Sequence, residues 1–236
     1  MKILILTTNT PHHIYFVREI SMRHKLSGII VEENSLIPPF DIDHPFEKLR
    51  DSYEKKVLLN DSLESFNDYS ETRLFNSINN AECEKYVNTI NPEIIITFGT
   101  GFIKSSLINK YKNSFLNLHG GDPQYYRGLD SHLWAIYHKD FSQLKVTLHQ
   151  LNEKLDDGEI IEQESIIIYK NYQLHKLRSD NTKVCIDLTL SALKKYNKKN
   201  KFKSYPQKKI GRYYSFMPSV IKEICVNNFN KYVQSL

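Results

Sequence analysis

The sequence of 236 residues contains little cysteine and little glycine, and it has no long apolar run. Its three cysteines, Cys83, Cys185 and Cys225, form no CxxC pair and lack metal-ligand spacing, so we expect buried, reduced thiols rather than disulfides or a zinc site. No GxGxxG motif follows the first apolar run, which disfavours a dinucleotide cofactor. That run gives way to polar residues at 7–10, too soon for a signal peptide or a membrane span. We therefore expect a soluble, cytoplasmic protein with no membrane partner.

A moderate positive charge is the main compositional bias. The formal net charge is +5, and the sequence pI is about 8.9. Lysine is spread along the chain, and its densest cluster covers only Lys194–Lys203, so a solvated basic surface is favoured over a nucleic-acid groove. An anionic small molecule suits such a surface. The length fits one α/β domain with a small appendage.

Apolar runs alternate with amphipathic segments, and this order indicates the fold. Ile3–Leu6 and Ile94–Ile96 are continuously apolar, as buried parallel strands are, and Leu26–Val31 forms a further predicted strand. The segment 12–24 places its apolar residues on one helical face. The pattern predicts an α/β protein with a Rossmann-like, mostly parallel twisted sheet flanked by helices.

The loop after the first strand lies where open α/β sheets bind ligands, at the carboxyl end of a strand. Asn9, Thr10 and His12 offer hydrogen bonds to a substrate there. Thr10 and Pro11 also suit the N-cap and first turn of the helix. Substrate binding and a plain capped turn are equally compatible with these residues.

The region from residue 34 to residue 91 has a weaker pattern. Over 34–70 we predict a loop containing Pro38–Pro39 and one helix at Phe46–Leu59. A short strand at Thr72–Phe75 and a helix that stops at Asn91 complete the region.

Residues 115–161 combine polar side chains with the loops that orient them. Asn117 and His119 are two residues apart in an apolar strand, so both side chains leave it on the same face. Gly120–Pro123 end the strand, and Asp156 lies on a turn before the next apolar strand. An amide, an imidazole and a carboxylate suit acyl transfer to an amine, because the amide stabilises an oxyanion while the others handle a proton. Taken singly, the histidine is more often a loop residue and Asp-Asp-Gly an ordinary turn.

Several short motifs in this stretch occur in the order of a known family. They are Asn117-Leu118-His119, Tyr126-Arg127-Gly128, Trp134-Ala135, Val146–His149 and Leu155–Ile161. Together they resemble the folate-dependent formyltransferases. The resemblance implies that Asn117, His119 and Asp156 are catalytic and that 10-formyltetrahydrofolate donates the formyl group. Asp157 does not match, because the family pattern is Leu-Asp-x-Gly and only Asp156 precedes Gly158 by two.

The resemblance also implies where the folate binds. The residues expected to contact the pterin ring of the folate, mainly through their backbone, are Phe98, Gly101, Phe102, Ile103 and Leu155. Packing of the two phenylalanines in the core is compatible with this role. Arg127 is expected to be exposed in the Tyr-Arg-Gly turn, where it holds either a phosphate or carboxylate of the substrate or the loop itself. His132, His138 and His149 lack partners at metal-ligand spacing, so we expect no metal.

The pattern changes after Ile168, where a predicted helix at 175–196 leads into a connector rich in lysine and asparagine through Lys203. We assign residues 1–190 to a catalytic domain and 191–236 to a C-terminal extension that is a possible dimerisation element. The extension is too short for the oligonucleotide-binding barrel that follows the catalytic domain of methionyl-tRNA formyltransferase. It carries many aromatic residues, so we expect it to pack on the domain or on a second subunit. Resemblance to the sugar formyltransferases favours a homodimer.

The resemblance and the short extension favour a sugar N-formyltransferase. The expected acceptor is a dTDP- or GDP-linked 4-amino-4,6-dideoxyhexose, formylated for surface polysaccharides such as lipopolysaccharide O-antigen, with a 3-amino sugar as the nearest competitor. The alternatives are a formyltransferase of nucleotide metabolism or of methionyl-tRNA, and a non-catalytic formyltransferase-like binding protein.

Overall fold

The structure is a computed structural model that describes residues 1–33, 37–197, 199 and 201–236. Its strands are β1 (Ile3–Thr8), β2 (Leu26–Glu32), β3 (Thr72–Phe75), β4 (Ile94–Phe98), β5 (Phe115–His119), β6 (Tyr126–Gly128), β7 (Lys145–Gln150), β8 (Ile160–Ser165) and β9 (Arg212–Tyr214). A seven-stranded sheet in the order β3-β2-β1-β4-β5-β7-β8 forms the centre, and β6 pairs with β9 in a small second sheet.

The central sheet is parallel from β3 to β5, whereas β7 runs antiparallel to both β5 and β8. Successive residues of β1 point to opposite faces: Ile3 and Ile5 enter one buried cluster, and Leu4 and Leu6 enter another. All four are fully buried. Cover on both faces explains the unbroken apolar runs of the central strands. The predicted mostly parallel α/β fold is confirmed.

Helices cover both faces of the sheet. They are α1 (Pro11–Ser21), α2 (Pro45–Leu59), α3 (Ala81–Ile90), α4 (Ser105–Lys110), α5 (Ser131–Tyr137), α6 (Leu177–Lys195) and α7 (Ser219–Ser235). Thr10 is the N-cap residue of α1 and Pro11 its first residue, as the sequence predicts. The helix predicted within 34–70 is α2, and the start of that predicted segment, residues 34–36, lies outside the described residues. Asn91 ends α3 in the left-handed conformation.

The C-terminal segment packs on the domain. Its strand β9 pairs in parallel with β6, and Tyr205 bridges to Ile160 at the start of β8. Met217, Cys225 and Phe229 are buried in the same apolar cluster as β1. This confirms the expectation that the segment packs on the domain. The boundary at residue 190 and a role in dimerisation stay predictions, and residues 198 and 200 of the lysine-rich connector lie outside the described residues.

Two further sequence predictions concern thiols and membranes. Cys83, Cys185 and Cys225 are buried and unbridged, as expected. In the ranges that the structure describes, no helix is both long and apolar enough to cross a membrane.

The topology places three polar strand ends together. Because β1, β4 and β5 are parallel neighbours, Thr8, Phe98 and His119 lie at the same edge of the sheet. This edge carries the candidate active site.

Candidate active site

Asn117 is oriented by a hydroxyl from the neighbouring strand. The Thr97 hydroxyl on β4 donates to Asn117 Oδ1 at 2.7 Å. The amide nitrogen of Asn117 therefore faces the other way, 3.1 Å from His149 Nε2 and 3.5 Å from Asp156 Oδ1. One N–H of this amide is held by His149, and the longer contact leaves the other only weakly engaged.

His149 is a site residue that the sequence analysis missed. It lies directly opposite Asn117 in the antiparallel β5–β7 pair and is fully buried. Its Nδ1–H donates to the carbonyl oxygen of Gln150 at 2.8 Å, which leaves Nε2 as the acceptor for Asn117. Its sequence signals are its place in the Val146–His149 motif and its polar position in a strand whose apolar positions are Val146 and Leu148.

His119 is buried, and one of its ring nitrogens has a fixed role. Nε2–H donates to the carbonyl oxygen of Tyr126 at 2.8 Å. Nδ1 lies 3.6 Å from Asp156 Oδ2. Since Nε2 keeps its proton for the carbonyl, Nδ1 is the nitrogen that can gain or lose a proton facing Asp156.

Asp156 is held in an unusual backbone conformation. Its φ is +48°, in the left-handed region, and its Oδ2 accepts from the backbone N–H of Gly128 at 2.8 Å. Gln207 of the C-terminal segment donates to the carbonyl oxygens of Asp156 at 2.8 Å and Gly158 at 2.9 Å. A Cβ on Gly158 would lie 1.6 Å from the carbonyl oxygen of Gln150, so this turn requires glycine. The C-terminal segment thus fixes the turn that carries the carboxylate.

The environment keeps Asp156 ionised. Burial alone would raise its pKa, but the neighbouring imidazoles of His119 and His149 and the hydrogen bond from the Gly128 N–H together hold the pKa well below its usual range. At neutral pH the carboxylate is therefore a charged partner for His119.

A cavity of about 690 Å³ opens beside these side chains. Asn117, His119 and Asp156 all line it, so the structure brings the predicted catalytic residues together. The residues predicted to bind folate, Phe98, Gly101, Phe102, Ile103 and Leu155, line it as well. Their role as folate contacts stays a prediction.

Two backbone groups of the 98–103 loop are engaged within the protein. The N–H of Gly101 donates to Glu32 Oε2 at 2.8 Å, and the carbonyl oxygen of Phe102 accepts from Asn79 Nδ2 at 2.8 Å. Glu32 Oε1 also accepts from the N–H of Ile78 at 3.0 Å, and its side chain is buried. Glu32 and Asn79 thus hold the shape of this loop.

Of the residues predicted to bind the acceptor substrate, only His12 lines the cavity. Asn9 is exposed, and Thr10 bonds His12 Nδ1 at 3.0 Å and His13 Nδ1 at 2.8 Å. Thr10 therefore orients two histidines at the start of α1. Burial first, and then the charges of Arg178 and Arg50, lower the pKa of His12 well below its usual value, so its ring is neutral.

The prediction that Arg127 is exposed is wrong. Its side chain is buried, with Nη2 donating to Asp157 and Nε donating to the carbonyl oxygen of Pro123 at 3.1 Å. Arg127 also lies outside the residues that line the cavity. The reason is that β6 pairs with β9 of the C-terminal segment, where Arg127 lies opposite Tyr213, 86 positions away in the sequence. No local pattern predicts such a contact.

Two other arginines, Arg50 and Arg178, line the cavity and were not predicted. Arg178 of α6 donates from Nε and Nη2 to Glu54 at 2.7 and 2.6 Å, and from Nη2 to Asp51 at 2.8 Å. Arg50 of α2 donates from Nε to Asp51 and from Nη1 to Glu47. Their spacing forms no motif, because they reach the cavity from helices far apart in the chain.

A family model described as formyl transferase matches residues 1–190 of the chain. The chain belongs to the formyl transferase family. The chain is 34% identical over 127 residues to the bifunctional polymyxin resistance protein ArnA of Wigglesworthia glossinidia brevipalpis, a match that covers 53% of this chain and 18% of that protein. It is 31% identical over 108 residues to a methionyl-tRNA formyltransferase of Latilactobacillus sakei subsp. sakei (strain 23K), covering 45% of this chain and 34% of that protein. The match thus spans about a third or less of these curated relatives.

A solved structure shares the fold of this chain. It is the formyltransferase PseJ of Anoxybacillus kamchatkensis in complex with UDP-4,6-dideoxy-4-formamido-L-AltNAc and tetrahydrofolate. The TM-score is 0.51 at 20% identity, and the match covers 91% of this chain and 86% of that chain. The family and the fold that the sequence predicts are therefore confirmed.

Proposed function

We propose that this protein transfers the formyl group of 10-formyltetrahydrofolate to the amine of a nucleotide-linked amino sugar. The observation that carries the proposal is the meeting of Asn117, His119 and Asp156 at the wall of a cavity of about 690 Å³. Such a volume is typical of small-molecule sites. The folate, when bound, supplies an activated formyl group.

Asn117 and His119 stabilise the charge that develops on the formyl oxygen. The weakly engaged N–H of Asn117 Nδ2 and a proton on His119 Nδ1 are the two donors. Thr97 and the carbonyl oxygen of Tyr126 hold these side chains in place before the substrate arrives. Preorganised donors of this kind stabilise a transition state without rearranging during the reaction.

Asp156 completes the proton balance. The attacking amine must be neutral, it loses a proton as the new C–N bond forms, and the folate nitrogen gains one as its C–N bond breaks. Asp156 is ionised and lies 3.6 Å from His119 Nδ1, so the pair can accept the first proton and return one, directly or through a water molecule.

Arg50 and Arg178 support an anionic acceptor. The hydrogen bonds among the described residues use Nε and one terminal nitrogen of each side chain, which leaves the second terminal NH₂ group of each for a phosphate. We propose a dTDP- or GDP-linked 4-amino-4,6-dideoxyhexose as acceptor and a product destined for surface polysaccharides. PseJ, a protein of the same fold, carries a nucleotide-linked 4-formamido sugar.

A second candidate is methionyl-tRNA formylation. It is favoured by the 31% identity over 108 residues to a methionyl-tRNA formyltransferase. The same catalytic groups serve either amine, so the acceptor must be identified by assay.

The deciding experiment is an acceptor panel with 10-formyltetrahydrofolate. Purified protein is assayed with dTDP-, GDP- and UDP-linked 4-amino and 3-amino dideoxyhexoses, with glycinamide ribonucleotide and with methionyl-tRNA. We expect formylation of a nucleotide amino sugar with a kcat/KM at least ten times that of the other two acceptors. Comparable or better formylation of glycinamide ribonucleotide or methionyl-tRNA would overturn the proposed substrate class.

A further inference from the structure

Asn181 carries a buried, unpaired hydrogen-bond acceptor at the wall of the cavity. The residue lies in α6, is only 6% exposed and lines the cavity. Its Nδ2 contacts Cys185 Sγ at 3.7 Å, but no donor in the described part of the chain reaches its Oδ1. A buried carbonyl oxygen without a donor is unfavourable, so a ligand that supplies one gains from binding there.

His132 presents a second acceptor in the same region. Its Nε2–H donates to the carbonyl oxygen of Lys145 at 2.6 Å, so Nδ1 carries a lone pair. Burial lowers the pKa of His132 to about 4, which keeps the ring neutral at physiological pH. His132 also lines the cavity.

Gly120 brings the two acceptors to one point next to the catalytic histidine. A Cβ added to Gly120 would lie 3.2 Å from Asn181 Oδ1 and 3.7 Å from His132 Nδ1. Gly120 directly follows His119 and lines the cavity with them. The absence of a side chain at residue 120 therefore lets a ligand approach both acceptors beside the reacting group.

The two neighbouring acceptors favour a ligand group that is an uncharged hydrogen-bond donor. Two lone pairs repel a phosphate or carboxylate, and they attract an O–H or N–H group. The nearby carboxylate of Asp122 is already paired with Lys145 at 3.3 Å. The phosphates of a nucleotide sugar therefore lie elsewhere, and an uncharged part of its sugar ring fits here.

We infer that Asn181 Oδ1 and His132 Nδ1 form a subsite that accepts hydrogen bonds from a hydroxyl or N–H group of the acceptor sugar, next to the reacting amine. The inference rests on the proposed function and deepens it. According to this inference, residues of α5 and α6 contact the sugar ring, rather than residues of the loop at 9–12.

The test measures binding without turnover. dTDP-4-amino-4,6-dideoxyglucose is titrated calorimetrically into the protein saturated with tetrahydrofolate, which has no formyl group to transfer. We expect Asn181→Leu to raise the Kd of the sugar roughly 10- to 100-fold, because a ligand donor loses its acceptor, and to leave the Kd of tetrahydrofolate unchanged. Since the substitution removes an unpaired buried oxygen, the Tm of the ligand-free protein should stay the same or rise.

Ser179→Ala is the matched control. Ser179 lies on the same helix, is fully buried and also has an unpaired oxygen in the described part of the chain, but it does not line the cavity. This variant should keep wild-type affinity for both ligands. Gly120→Ala is a second test, because its methyl group would occupy the point between the two acceptors, and it should raise the Kd of the sugar at least as much as Asn181→Leu.

A 3-deoxy version of the same nucleotide sugar identifies the donor. If its Kd is insensitive to Asn181→Leu, the ring hydroxyl beside the amine is the donor; if the penalty persists, the amine N–H is. Unchanged sugar affinity in both Asn181→Leu and Gly120→Ala would overturn the subsite while leaving the proposed function intact. If the wild-type protein binds none of the amino sugars, both the proposed function and the assignment of an amino sugar to this subsite are wrong.

Discussion

Hydrogen bonds within the protein orient Asn117 and His119 but leave one amide N–H of Asn117 and Nδ1 of His119 available to a ligand. Thr97 and His149 orient the amide of Asn117, and the carbonyl oxygen of Tyr126 holds one nitrogen of His119. The remaining N–H of the amide and the other ring nitrogen face the cavity wall that carries Asp156. At the scale of single residues, the site is built for donors that act without moving.

The first prediction concerns these donors. Because we propose that each supplies one of the two hydrogen bonds to the developing oxyanion, Asn117→Ala and His119→Ala should each lower kcat roughly 100- to 1,000-fold. Binding of tetrahydrofolate, measured by calorimetry, should remain, since the pterin contacts are expected from other residues. Asn109→Ala, at an exposed position whose side chain donates to Glu153, serves as the control. Near-normal turnover in either test variant would exclude the assigned role.

The second prediction concerns pH. Burial is the main cause that lowers the pKa of His12, His13 and His132, the last to about 4. An unfolded histidine titrates near pH 6.5, so below that pH the unfolded chain binds more protons than the folded chain. The free energy of unfolding should therefore fall as the pH drops from about 6.5 towards 4.

Urea denaturation at a series of pH values tests this window. Between pH 6.5 and 4.5, the free energy of unfolding of His132→Asn should fall by less than that of the wild type, with a difference of up to about 3 kcal/mol. The reason is that this variant lacks one of the three neutral imidazoles. Gln234→Ala, which removes no titratable group and lies at an exposed position, should keep the wild-type slope. Parallel curves for His132→Asn and the wild type would contradict the assignment.

At the scale of elements, the C-terminal segment is part of the active site. Strand β9 covers β6, and Gln207 donates to the backbone on both sides of Asp157. These bonds hold Asp156 in its left-handed conformation, which costs of order 1–3 kcal/mol in isolation.

The third prediction follows for Gln207. Gln207→Ala should lower kcat about 10-fold with little change in either KM, because the carboxylate loses its position while the cavity walls stay in place. Gln234→Ala, at an exposed position of α7, is the matched control. Steady-state kinetics with both substrates separates the outcomes, and a change confined to one KM would mean that Gln207 acts on binding instead.

The loop 98–103 is also held in place by a residue from another element. Glu32, at the end of β2, binds the N–H groups of Ile78 and Gly101 with its two separate oxygens. The loop is therefore attached to the sheet through a buried carboxylate rather than through its own apolar contacts alone.

The fourth prediction is that Glu32→Gln raises the KM for 10-formyltetrahydrofolate roughly 10-fold more than the KM for the acceptor. The amide that replaces the carboxylate has one oxygen, so one of the two backbone N–H groups would face an NH₂ group instead. Glu33→Gln changes the exposed neighbouring residue and should have no effect. Equal changes in both KM values would assign Glu32 a general structural role.

At the scale of the whole molecule, the outer face of α7 is the candidate contact for a second subunit. Val220 is 82% and Ile224 is 43% exposed, one helical turn apart, while Phe229 of the same helix is buried in the core. The helix therefore covers the domain with one face and leaves an apolar strip on the other.

The fifth prediction is a homodimer through this strip. Light scattering at micromolar concentration should give twice the mass of the chain, and Val220→Lys combined with Ile224→Lys should give a monomer, because four buried charges would face each other across a two-fold axis. Leu63→Lys, at an exposed position away from α7, is the control. A wild-type monomer under these conditions would contradict the prediction.

The strands, and the meeting of Asn117, His119 and Asp156 at one site, were predictable because their signals are local. Central parallel strands are apolar on both faces, and Ile3–Leu6 and Ile94–Ile96 show this as unbroken runs. Asn117 and His119 share a face because strand side chains alternate, and Asp156 stands in a turn marked by glycine. Each inference needs only a few neighbouring residues.

The tertiary structure alone decided which polar groups face one another. His149 joins Asn117 through an antiparallel pairing, Gln207 reaches the Asp156 turn from 51 residues away, and Arg127 is buried under a strand of the C-terminal segment. Whether a side chain binds a substrate or another part of the protein depends on such distant partners, and no local pattern records them. For this protein, the sequence by itself determined the sheet, the family and the reactive groups, whereas the contacts that orient those groups exist only in the folded chain, because they join segments that are close in space and far apart in sequence.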